Sequence, residues 1–443
     1  MRILIISAYF PPENSSASLR PYTWAKYWTK IGNQVSVLTT VKDRDKPEAM
    51  HVDNNGFQVN EINYSSFFYS IKAYYKREKK VLSPLDSRKW VENLTPVKYV
   101  IPGKKSVLAK INDWRKSRGL SITARMPDQT DLWIKPATEW AKNNGPWDLV
   151  ISTYGPYSCH LVALNLREEN LCKHWIVDFR DLWTDNPIYK GVYPLTLFEK
   201  YLERKIIANA DFITTVSEPL AQTLRKKYSQ AKVEVIENGF DTEEFNDLEE
   251  ETIFRDNKVR IIHTGTVYKG KMNPGLLFEA IASISNDITL APLLTNLEVI
   301  FLGSDNTHNM AQAEEMNVAE WVKDGGFLPR KQILRMQHEA HALLFLGFDK
   351  GKTPGILSGK LYEYMFSETP VWAVDVDSMS AVGQIIQQAN AGILLGEDLN
   401  LLKEMLINLL KDPVKQKSSL NTTYLQRFER SHLAYKMLAL VNN

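Results

Sequence analysis

Residues 3–13 read Ile-Leu-Ile-Ile-Ser-Ala-Tyr-Phe-Pro-Pro-Glu, a short apolar run that ends in a proline turn. The run is too short for a signal peptide and no small-residue cleavage site follows it, so it predicts a buried first strand. Similar apolar runs recur through both halves of the chain, each bounded by turn or polar residues and followed by a helical period. This alternation is typical of parallel strands with crossover helices. The sequence therefore predicts an α/β fold.

The predicted strands fall into two series. Those of the first series are 3–7, 35–39, 57–62, 149–153, 175–179 and 212–216. Those of the second are 233–236, 259–264, 297–302, 321–323, 342–345, 371–374 and 392–395. The turn Asn-Gly-Phe-Asp at 238–241, with the acidic stretch 247–251 after it, predicts a domain boundary near residue 240.

Composition indicates a globular protein with more than one domain. The 443 residues are 44% hydrophobic and 24% charged, which argues against disorder. The two cysteines, Cys159 and Cys172, are too few for a disulfide scaffold or a structural zinc site and fit a reducing compartment, so a cytoplasmic location is expected. No apolar run reaches the roughly 18 to 20 residues that span a bilayer, so any membrane contact is expected to be peripheral.

The net charge of +2 hides a strong local asymmetry. Residues 70–135 contain 16 Lys or Arg and 6 Asp or Glu, an excess of +10 that leaves −8 for the rest of the chain. Aromatic residues are interleaved with these charges, and the segment interrupts the strand pattern. We interpret it as a basic insertion that meets anionic lipid headgroups or a phosphate-bearing acceptor; a solvated helical excursion is the alternative. No nucleic-acid-binding module accompanies it, so nucleic acid is not an expected partner.

Several common active-site motifs are absent from the sequence. It has neither G-x-G-x-x-G nor G-x-x-x-x-G-K-[ST], which argues against an ordinary dinucleotide site and a P-loop. No H-E-x-x-H or paired-cysteine motif indicates a metal, and no G-x-S-x-G elbow indicates a serine hydrolase.

Two constellations in the first half could carry chemistry. The loop at 14–18, between the first strand and a helix predicted to begin near Pro21, is placed to hold an anion or sugar through backbone N–H groups. The stretch 175–183 is a strand that ends in Asp178, Arg180 and Asp181. Charges at the carboxyl end of a strand in a doubly wound sheet usually face the crevice, although structural roles for all three are the alternative.

Two more constellations that could carry chemistry lie in the second half of the chain. The stretch 233–241 is a strand and turn typical of a hinge. The stretch 353–364 is a Pro/Gly/Ser loop that turns into a helix with Lys360 in its first turn. Such a loop offers N–H groups and a charge to a phosphate. Glu363, one turn further, could accept two ribose hydroxyls; alternatively it caps its own helix.

Together these stretches resemble the retaining glycosyltransferases of family 4. The resemblance rests on Tyr-Phe-Pro-Pro-Glu at 9–13, Asp-Phe-Arg-Asp-Leu-Trp at 178–183, Asn-Gly-Phe-Asp at 238–241, and the stretches 263–271 and 358–365. It implies the GT-B fold, with two Rossmann-like, doubly wound domains facing a central cleft. The implied domains are an acceptor-side domain at 1–238, a donor-binding domain at 239–430, and a last helix at 431–443 that crosses back to the first domain.

The resemblance also implies which residues bind each substrate. Gly265 with Lys269 or Lys271 would meet the donor diphosphate, Phe327 and Leu328 would border the nucleobase, and Glu363 would hold the ribose. The implied donor-side residues are Gly265, Lys269, Lys271, Phe327, Leu328, Ser358, Gly359, Lys360 and Glu363. The implied acceptor-side residues are Ser15, Ser16, Arg20 and Asp178. The implied catalytic residues are Lys271, Lys360, Arg180 and Asp181.

The sequence departs from the family pattern at three places. Many members have a second glutamate eight positions before the one that corresponds to Glu363, where this chain has Gly355. Ser15 and Ser16 replace a common pair of glycines, and Arg180 stands where a histidine is often found. These changes affect the groups that would hold the donor sugar and the diphosphate.

The activity implied by the resemblance is transfer of a sugar, with retention and without a metal or other cofactor, from a nucleotide-sugar donor to a glycan or lipid-linked acceptor. A role in cell-surface polysaccharide assembly at the inner face of the membrane is expected, with domain closure about 238–241. The alternatives are a sugar-nucleotide epimerase of the same fold and a non-catalytic glycan-binding subunit, which the missing glutamate would suit.

Overall fold

The computed structural model describes residues 1–44, 50, 52–54, 56–64, 107–246, 252–348 and 355–442. The chain divides into two compact units. The first contains residues 1–82, 103–238 and 430–443, and the second contains 83–102 and 239–429. Residues 70–106 of the predicted insertion, the acidic stretch 247–251 and residues 353–354 lie outside the described residues.

The first unit is built on a parallel sheet of seven strands in the order β3-β2-β1-β4-β5-β6-β7. Its strands are β1 Arg2–Ile6, β2 Gln34–Thr40, β3 Gln58–Ile62, β4 Trp147–Thr153, β5 Cys172–Phe179, β6 Phe212–Thr215 and β7 Val233–Val235. Its helices up to residue 238 are α1 Ser16–Lys30, α2 Val107–Ser117, α3 Asp131–Asn143, α4 Ser158–Glu168, α5 Leu195–Asn209 and α6 Glu218–Lys227.

The apolar run in β1 explains how this sheet is buried on both faces. Leu4 and Ile6 lie in one hydrophobic cluster, and Ile3 and Ile5 lie in the other. Because side chains alternate along a strand, a continuous apolar run supplies both cores at once. In the described part of the predicted insertion, Trp133 is fully buried in the first of these clusters, whereas Trp114 is exposed.

Two sequence-based predictions for this unit need correction. The strand at 233–236, expected to open the second series, pairs with β6 and ends the first sheet. Its apolar pattern carries no information about which sheet it joins. Helix α1 begins at Ser16 rather than near Pro21, because Ser15 already has the extended backbone of an N-cap residue and the helix continues through Pro21.

The second unit has a parallel sheet of six strands in the order β10-β9-β8-β11-β12-β13. Its strands are β8 Val259–Thr264, β9 Leu297–Leu302, β10 Val322–Gly326, β11 Ala342–Leu346, β12 Val371–Val374 and β13 Gly392–Gly396. Its helices are α7 Glu243–Asn246, α8 Gly275–Ser285, α9 Thr307–Glu315, α10 Arg330–Glu339, α11 Gly359–Phe366, α12 Ala381–Gln388, α13 Leu399–Lys411 and α14 Thr422–Gln426, with a 3-10 helix at Ala291–Asn296.

A final helix, α15 (Arg430–Ala439), belongs to the first unit. It packs Leu433 and Met437 into the cluster that contains Ile3 and Ile5. Trp28 Nε1 donates a hydrogen bond of 2.8 Å to the carbonyl of Ala434. The second unit is therefore inserted, in chain order, between β7 and α15.

In each sheet, the order of the strands reverses at one point. In the first unit this point lies between β1 and β4, and in the second it lies between β8 and β11. Loops that leave neighbouring parallel strands diverge there, and in open α/β sheets this opening is where ligands bind. Residues that follow β8 and β11 are thus well placed to form a site.

Candidate functional site in the second unit

Gly265 and Lys360 meet at the carboxyl end of the second sheet. Gly265 follows β8 directly, and Lys360 is the second residue of α11, the helix that follows β11 along the chain. A Cβ atom built on Gly265 would lie 3.3 Å from Lys360 Nζ. Gly265 also has φ +92°, a backbone conformation that side chains disfavour. The structure thus brings together Gly265, to which the family resemblance gives a diphosphate contact, and Lys360, which the loop-to-helix pattern places near a phosphate.

The amine of Lys360 is held by a histidine that sequence reasoning did not assign to the site. Lys360 Nζ lies 3.3 Å from His263 Nε2, and His263 Nδ1 lies 2.9 Å from the carbonyl of Leu344. Burial, with the nearby charge of Lys360, holds the pKa of His263 well below its usual value. His263 is therefore neutral: Nδ1–H donates to Leu344 and Nε2 accepts from Lys360.

The pKa of Lys360 lies close to neutral pH. Burial lowers the pKa of Lys360 to about 8, although the nearby carboxylate of Glu363 acts in the opposite direction. A lysine in this state is still mostly protonated at neutral pH, and an incoming anion would favour the charged form further. Lys360 is therefore suited to bind phosphate.

The start of α11 adds to this positive potential. Ser358 has the extended backbone of an N-cap residue, but its side chain makes no capping hydrogen bond. Its Oγ is buried and has no hydrogen-bond partner among the described residues. The N-terminus of a helix favours anions. Ser358, Gly359 and Lys360 therefore form a continuous segment that fits a phosphate group.

Glu363 is fixed by an arginine rather than by its own helix. Arg330 Nη1 donates to Glu363 Oε1 at 2.7 Å, while Nε and Nη2 of the same guanidinium bind Glu244 at 3.1 and 2.8 Å. Glu363 Oε2 accepts no hydrogen bond from any described residue. Arg330 and Glu244 were missed because they are distant from Glu363 in sequence; the only signal was that Arg330 follows the stretch predicted to border the nucleobase.

The other predicted donor residues occupy loops of the same unit. Lys269 is exposed and Lys271 is half-buried, both on the loop that leaves β8. Phe327 is exposed and Leu328 half-buried on the loop after β10. Gly355, which stands where many members have a glutamate, is buried just before α11.

Predicted acceptor-side residues in the first unit

Asp178 and Arg20 form a fully internal ion pair. Asp178 Oδ1 accepts from Arg20 Nη2 and Thr214 Oγ1, each at 2.8 Å, and Oδ2 accepts from Arg20 Nε at 3.2 Å and Thr153 Oγ1 at 2.9 Å. Arg20 Nη1 donates to the carbonyl of Glu237 at 2.8 Å. Burial alone would raise the pKa of Asp178, but the charge of Arg20 and these hydrogen bonds outweigh it and lower that pKa. The pair joins α1, β5 and the end of β7 from inside.

Arg180 and Asp181, by contrast, are accessible. Arg180 is half-buried and donates to the carbonyls of Tyr154 at 2.7 Å and Gly155 at 3.4 Å. Asp181 is exposed. These two side chains, just beyond the carboxyl end of β5, can reach a ligand.

Ser15 and Ser16 lie at the start of α1. The hydroxyls of Ser15 and Ser18 are 2.9 Å apart, and Ser16 is exposed as the first residue of the helix. The structure therefore separates the four predicted acceptor-side residues: Ser15 and Ser16 lie at an accessible helix start, whereas Arg20 and Asp178 are internal.

Two general features bear on the kind of site. Within the described residues, no group of three or more His, Cys, Asp or Glu side chains is arranged to hold a metal ion. Over the same residues, no helix combines the length and apolar character needed to cross a membrane.

The comparison with known families identifies part of the chain. Residues 113–244 match the model of Glycosyltransferase Family 4. The match covers less than a third of the chain. The matched segment contains Arg180, Asp181 and the Asn-Gly-Phe-Asp turn, and the predicted resemblance to family 4 is confirmed. No curated protein sequence matches the chain.

Solved structures confirm the predicted fold. Sucrose-phosphate synthase from Thermosynechococcus elongatus superposes with a TM-score of 0.62 at 14% identity, covering 100% of this chain and 98% of that one. TarM from S. aureus, in a complex with fondaparinux, alpha-GlcNAc-glycerol and UDP, gives 0.59 at 10% identity, with 100% of each chain covered. WaaG, a glycosyltransferase involved in lipopolysaccharide biosynthesis, gives 0.53 at 12% identity, again covering 100% of each. The chain thus has the GT-B fold, with two Rossmann-like domains.

Proposed function

We propose that this protein transfers a sugar from a nucleotide-sugar donor to a glycan or lipid-linked acceptor. The observation that carries the proposal is the group formed by Gly265, Lys360 and Glu363 at the point where the second sheet reverses its strand order. It supplies a cation, a helix N-terminus and, one helical turn away, a fixed carboxylate. These are the groups that a nucleoside diphosphate requires.

On this proposal, the donor binds along α11. The diphosphate lies against Gly265, Lys360 and the N–H groups that follow Ser358, and Lys269 or Lys271 adds a second cation from the loop after β8. Glu363 Oε2 accepts ribose hydroxyls, since Oε1 is taken by Arg330. Phe327 and Leu328 border the base through backbone groups. The nucleotide seen with TarM is UDP, which supports a uridine nucleotide as the first donor to test.

The chemical task is to stabilise the departing diphosphate while positive charge develops on the sugar. Lysines and a helix N-terminus provide this stabilisation directly, so we propose transfer that needs neither a metal nor another cofactor. The resemblance to family 4 supports retention at the sugar. Lys271 and Lys360 act on the leaving group. Arg180 and Asp181 act on the acceptor side with Ser15 and Ser16, while Arg20 and Asp178 hold the underlying strands.

The likeness to WaaG supports a role in cell-surface polysaccharide assembly. The low cysteine content supports a cytoplasmic location, and the basic insertion supports peripheral contact with an anionic membrane. An alternative to the transferase is a glycan-binding subunit that binds donor without turnover. The presence of Gly355 where many family members have a glutamate supports this alternative. An epimerase of the same fold would convert the donor with no acceptor present.

The test is a panel of nucleotide sugars and nucleoside diphosphates, measured by thermal stabilisation and by release of nucleotide with and without acceptor glycans. A ligand at a hundredfold excess over its Kd should stabilise the protein by about 2.7 kcal/mol. Lys360→Ala and Glu363→Ala should abolish most of this effect, whereas Lys331→Ala, on the exposed side of α10, should not. If no nucleotide stabilises the protein, the proposal is wrong; binding without transfer would favour the non-catalytic subunit.

A further inference from the structure

Helix α5 (Leu195–Asn209) has its acidic residues inside and large apolar residues outside. Glu199 and Glu203 are at most 2% exposed. Leu197, Phe198 and Tyr201, with Tyr193 just before the helix, are between 49% and 76% exposed. A surface helix normally shows the reverse arrangement. We call the surface formed by Tyr193, Leu197, Phe198 and Tyr201 the α5 outer face.

The buried carboxylates explain why α5 keeps this orientation. Glu199 pairs with Arg125 at 2.7 Å and accepts from the backbone N–H of Met126 at 2.8 Å. Glu203 accepts from the backbone N–H and hydroxyl of Thr184, from Lys227 at 2.7 Å, and from Tyr228 at 2.6 Å. Because a buried charge without its partners is costly, these contacts prevent the helix from rotating. The apolar side chains must therefore stay outside.

The charges beside the α5 outer face are positive. Lys190, Lys200 and Arg204 are exposed, and none of them forms an ion pair within the part of the chain that the structure describes. Lys205 is paired with Glu168 at 2.5 Å, so its charge is already compensated. With Glu199 and Glu203 turned inward, α5 presents exposed aromatic and aliphatic groups together with uncompensated cations.

Helix α2 (Val107–Ser117) also exposes apolar side chains together with lysines. Val107, Ile111 and Trp114 follow at intervals of four and three residues, which places them on one side of the helix, and all are between 49% and 73% exposed. Exposed Lys110 and Lys116 lie on the same helix. The backbone N–H of Gly191 donates to the carbonyl of Arg118 at 3.1 Å, which joins the end of α2 to the segment that leads into α5.

We propose that the α5 outer face, together with the apolar side of α2, docks on an anionic lipid bilayer. Tyr and Phe rings favour the headgroup region, and lysines and arginines are attracted to anionic lipids. A second copy of this chain would bury the same apolar groups but would bring the unpaired cations against one another. The α5 outer face lies outside the basic insertion predicted from sequence, whereas α2 lies within it. The inference rests on the proposed function in that it names the surface for the peripheral membrane contact proposed there; the transfer reaction itself does not depend on it.

The test is binding of the full chain to phosphatidylcholine vesicles with and without phosphatidylglycerol, by co-sedimentation at low and high salt. Leu197→Ser/Tyr201→Ser should weaken binding about tenfold or more, from lost apolar burial. Lys200→Ser/Arg204→Ser should weaken it roughly 25-fold at low salt and much less at high salt, since each cation near the surface contributes about fivefold. Unchanged thermal unfolding would show that the variants fold.

The matched control is Leu132→Ser/Tyr435→Ser, which removes one exposed leucine and one exposed tyrosine from other helices of the same unit. Leu132 and Leu197 are both 56% exposed. This control should bind vesicles as the unchanged protein does. Equal loss in the control, or no binding to anionic vesicles at all, would overturn the inference. If sedimentation velocity shows a dimer that the Leu197→Ser/Tyr201→Ser variant dissociates, the surface belongs to a second copy instead.

Donor binding separates this inference from the proposed function. The α5 variants should retain thermal stabilisation by nucleotide sugar and transfer to soluble acceptors at the original rate. If no nucleotide binds, the transferase proposal is wrong, but the result with vesicles is unaffected. If the protein binds nucleotide sugar but not anionic vesicles, the docking inference is wrong and the transferase proposal is unaffected.

Discussion

Arg330 donates a 2.7 Å hydrogen bond to Oε1 of Glu363, and this contact decides which oxygen of that carboxylate is available to a ligand. The other two nitrogens of the guanidinium are occupied by Glu244. Arg330 is thus a positioning residue for Glu363, and Glu244 in turn orients Arg330.

We predict that Arg330→Lys weakens nucleotide binding roughly tenfold to a hundredfold, because a lysine cannot bind both carboxylates in the planar geometry of a guanidinium. Isothermal titration with the nucleotide that stabilises the protein measures this. Arg335→Lys is the control: Arg335 lies on the same helix and pairs with Glu339, away from Glu363. Equal losses in both variants would mean that Arg330 acts only through the stability of α10.

The pKa of Lys360, lowered to about 8, predicts a pH dependence of diphosphate binding. Lys360 is charged below this pH and neutral above it, so affinity for a nucleoside diphosphate should fall as the pH rises from 7 to 9. Lys360→Arg should lose this dependence because its guanidinium remains protonated throughout the range. Lys360→Met should bind weakly at every pH. A Lys360→Met variant with the original pH profile would contradict the assignment.

Gly265 offers a test of steric fit beside Lys360. A methyl group at Gly265 would meet Nζ and Cε of Lys360 at 3.3 Å, whereas one at Gly270 would meet no atom within 4 Å. Both glycines have positive φ, +92° and +73°, so each alanine variant carries similar backbone strain of about 1 kcal/mol. We predict that only Gly265→Ala lowers diphosphate affinity, by about tenfold, while both variants lower the melting temperature. Equal affinities for the two variants would exclude a diphosphate contact at Gly265.

The Arg20–Asp178 pair predicts a stability effect rather than a direct effect on acceptor binding. Arg20→Met leaves Asp178 buried without its counter-ion and should reduce the free energy of unfolding by about 3–5 kcal/mol. Denaturant titration measures the loss. Arg44→Met is the control, since Arg44 forms a salt bridge that is largely exposed.

The lowered pKa of Asp178 adds a pH dependence with a definite sign. Its carboxylate has a lower pKa folded than unfolded, so it stabilises the fold above the unfolded value of about 4, and this contribution disappears as the pH falls through the lower, folded value. Asp178→Asn should therefore show a flatter loss of stability on acidification than the unchanged protein. Parallel curves for the two proteins would show that Asp178 does not titrate with unfolding.

The fold could be predicted from sequence because its signal is local. Apolar runs such as 3–7 and 342–345 mark strands that are buried on both faces, and their alternation with helical periods indicates parallel sheets. The approach of Lys360 to Gly265 followed from the same logic, since both residues come after strands that end at one edge. The sequence did not predict which strands pair, as for residues 233–235, because strand pairing depends on contacts between segments that are far apart in the chain.

The sequence predicted site residues correctly only where their place in the fold follows from the order of strands and helices along the chain. Asp178 and Arg180 are two residues apart, yet one is sealed by Arg20 and two threonines while the other reaches the surface. His263, Arg330 and Glu244 act through contacts between residues that are far apart in sequence. The orientation of α5 is a further example. Its pattern would bury Leu197 and expose Glu199, and the reverse is explained by the contacts of Glu199 with Arg125 and of Glu203 with Lys227.

The position of α15 sets the order in which the protein can be completed during synthesis. Trp28 and the apolar residues around it are covered by Leu433, Ala434 and Met437, which the ribosome adds only after the whole second unit, 239–429. At typical translation rates this delay is on the order of 10–40 s. Throughout it, the nascent first unit carries an uncovered tryptophan-rich surface. A chaperone that recognises exposed aromatic groups would therefore have a fixed interval in which to act on this chain.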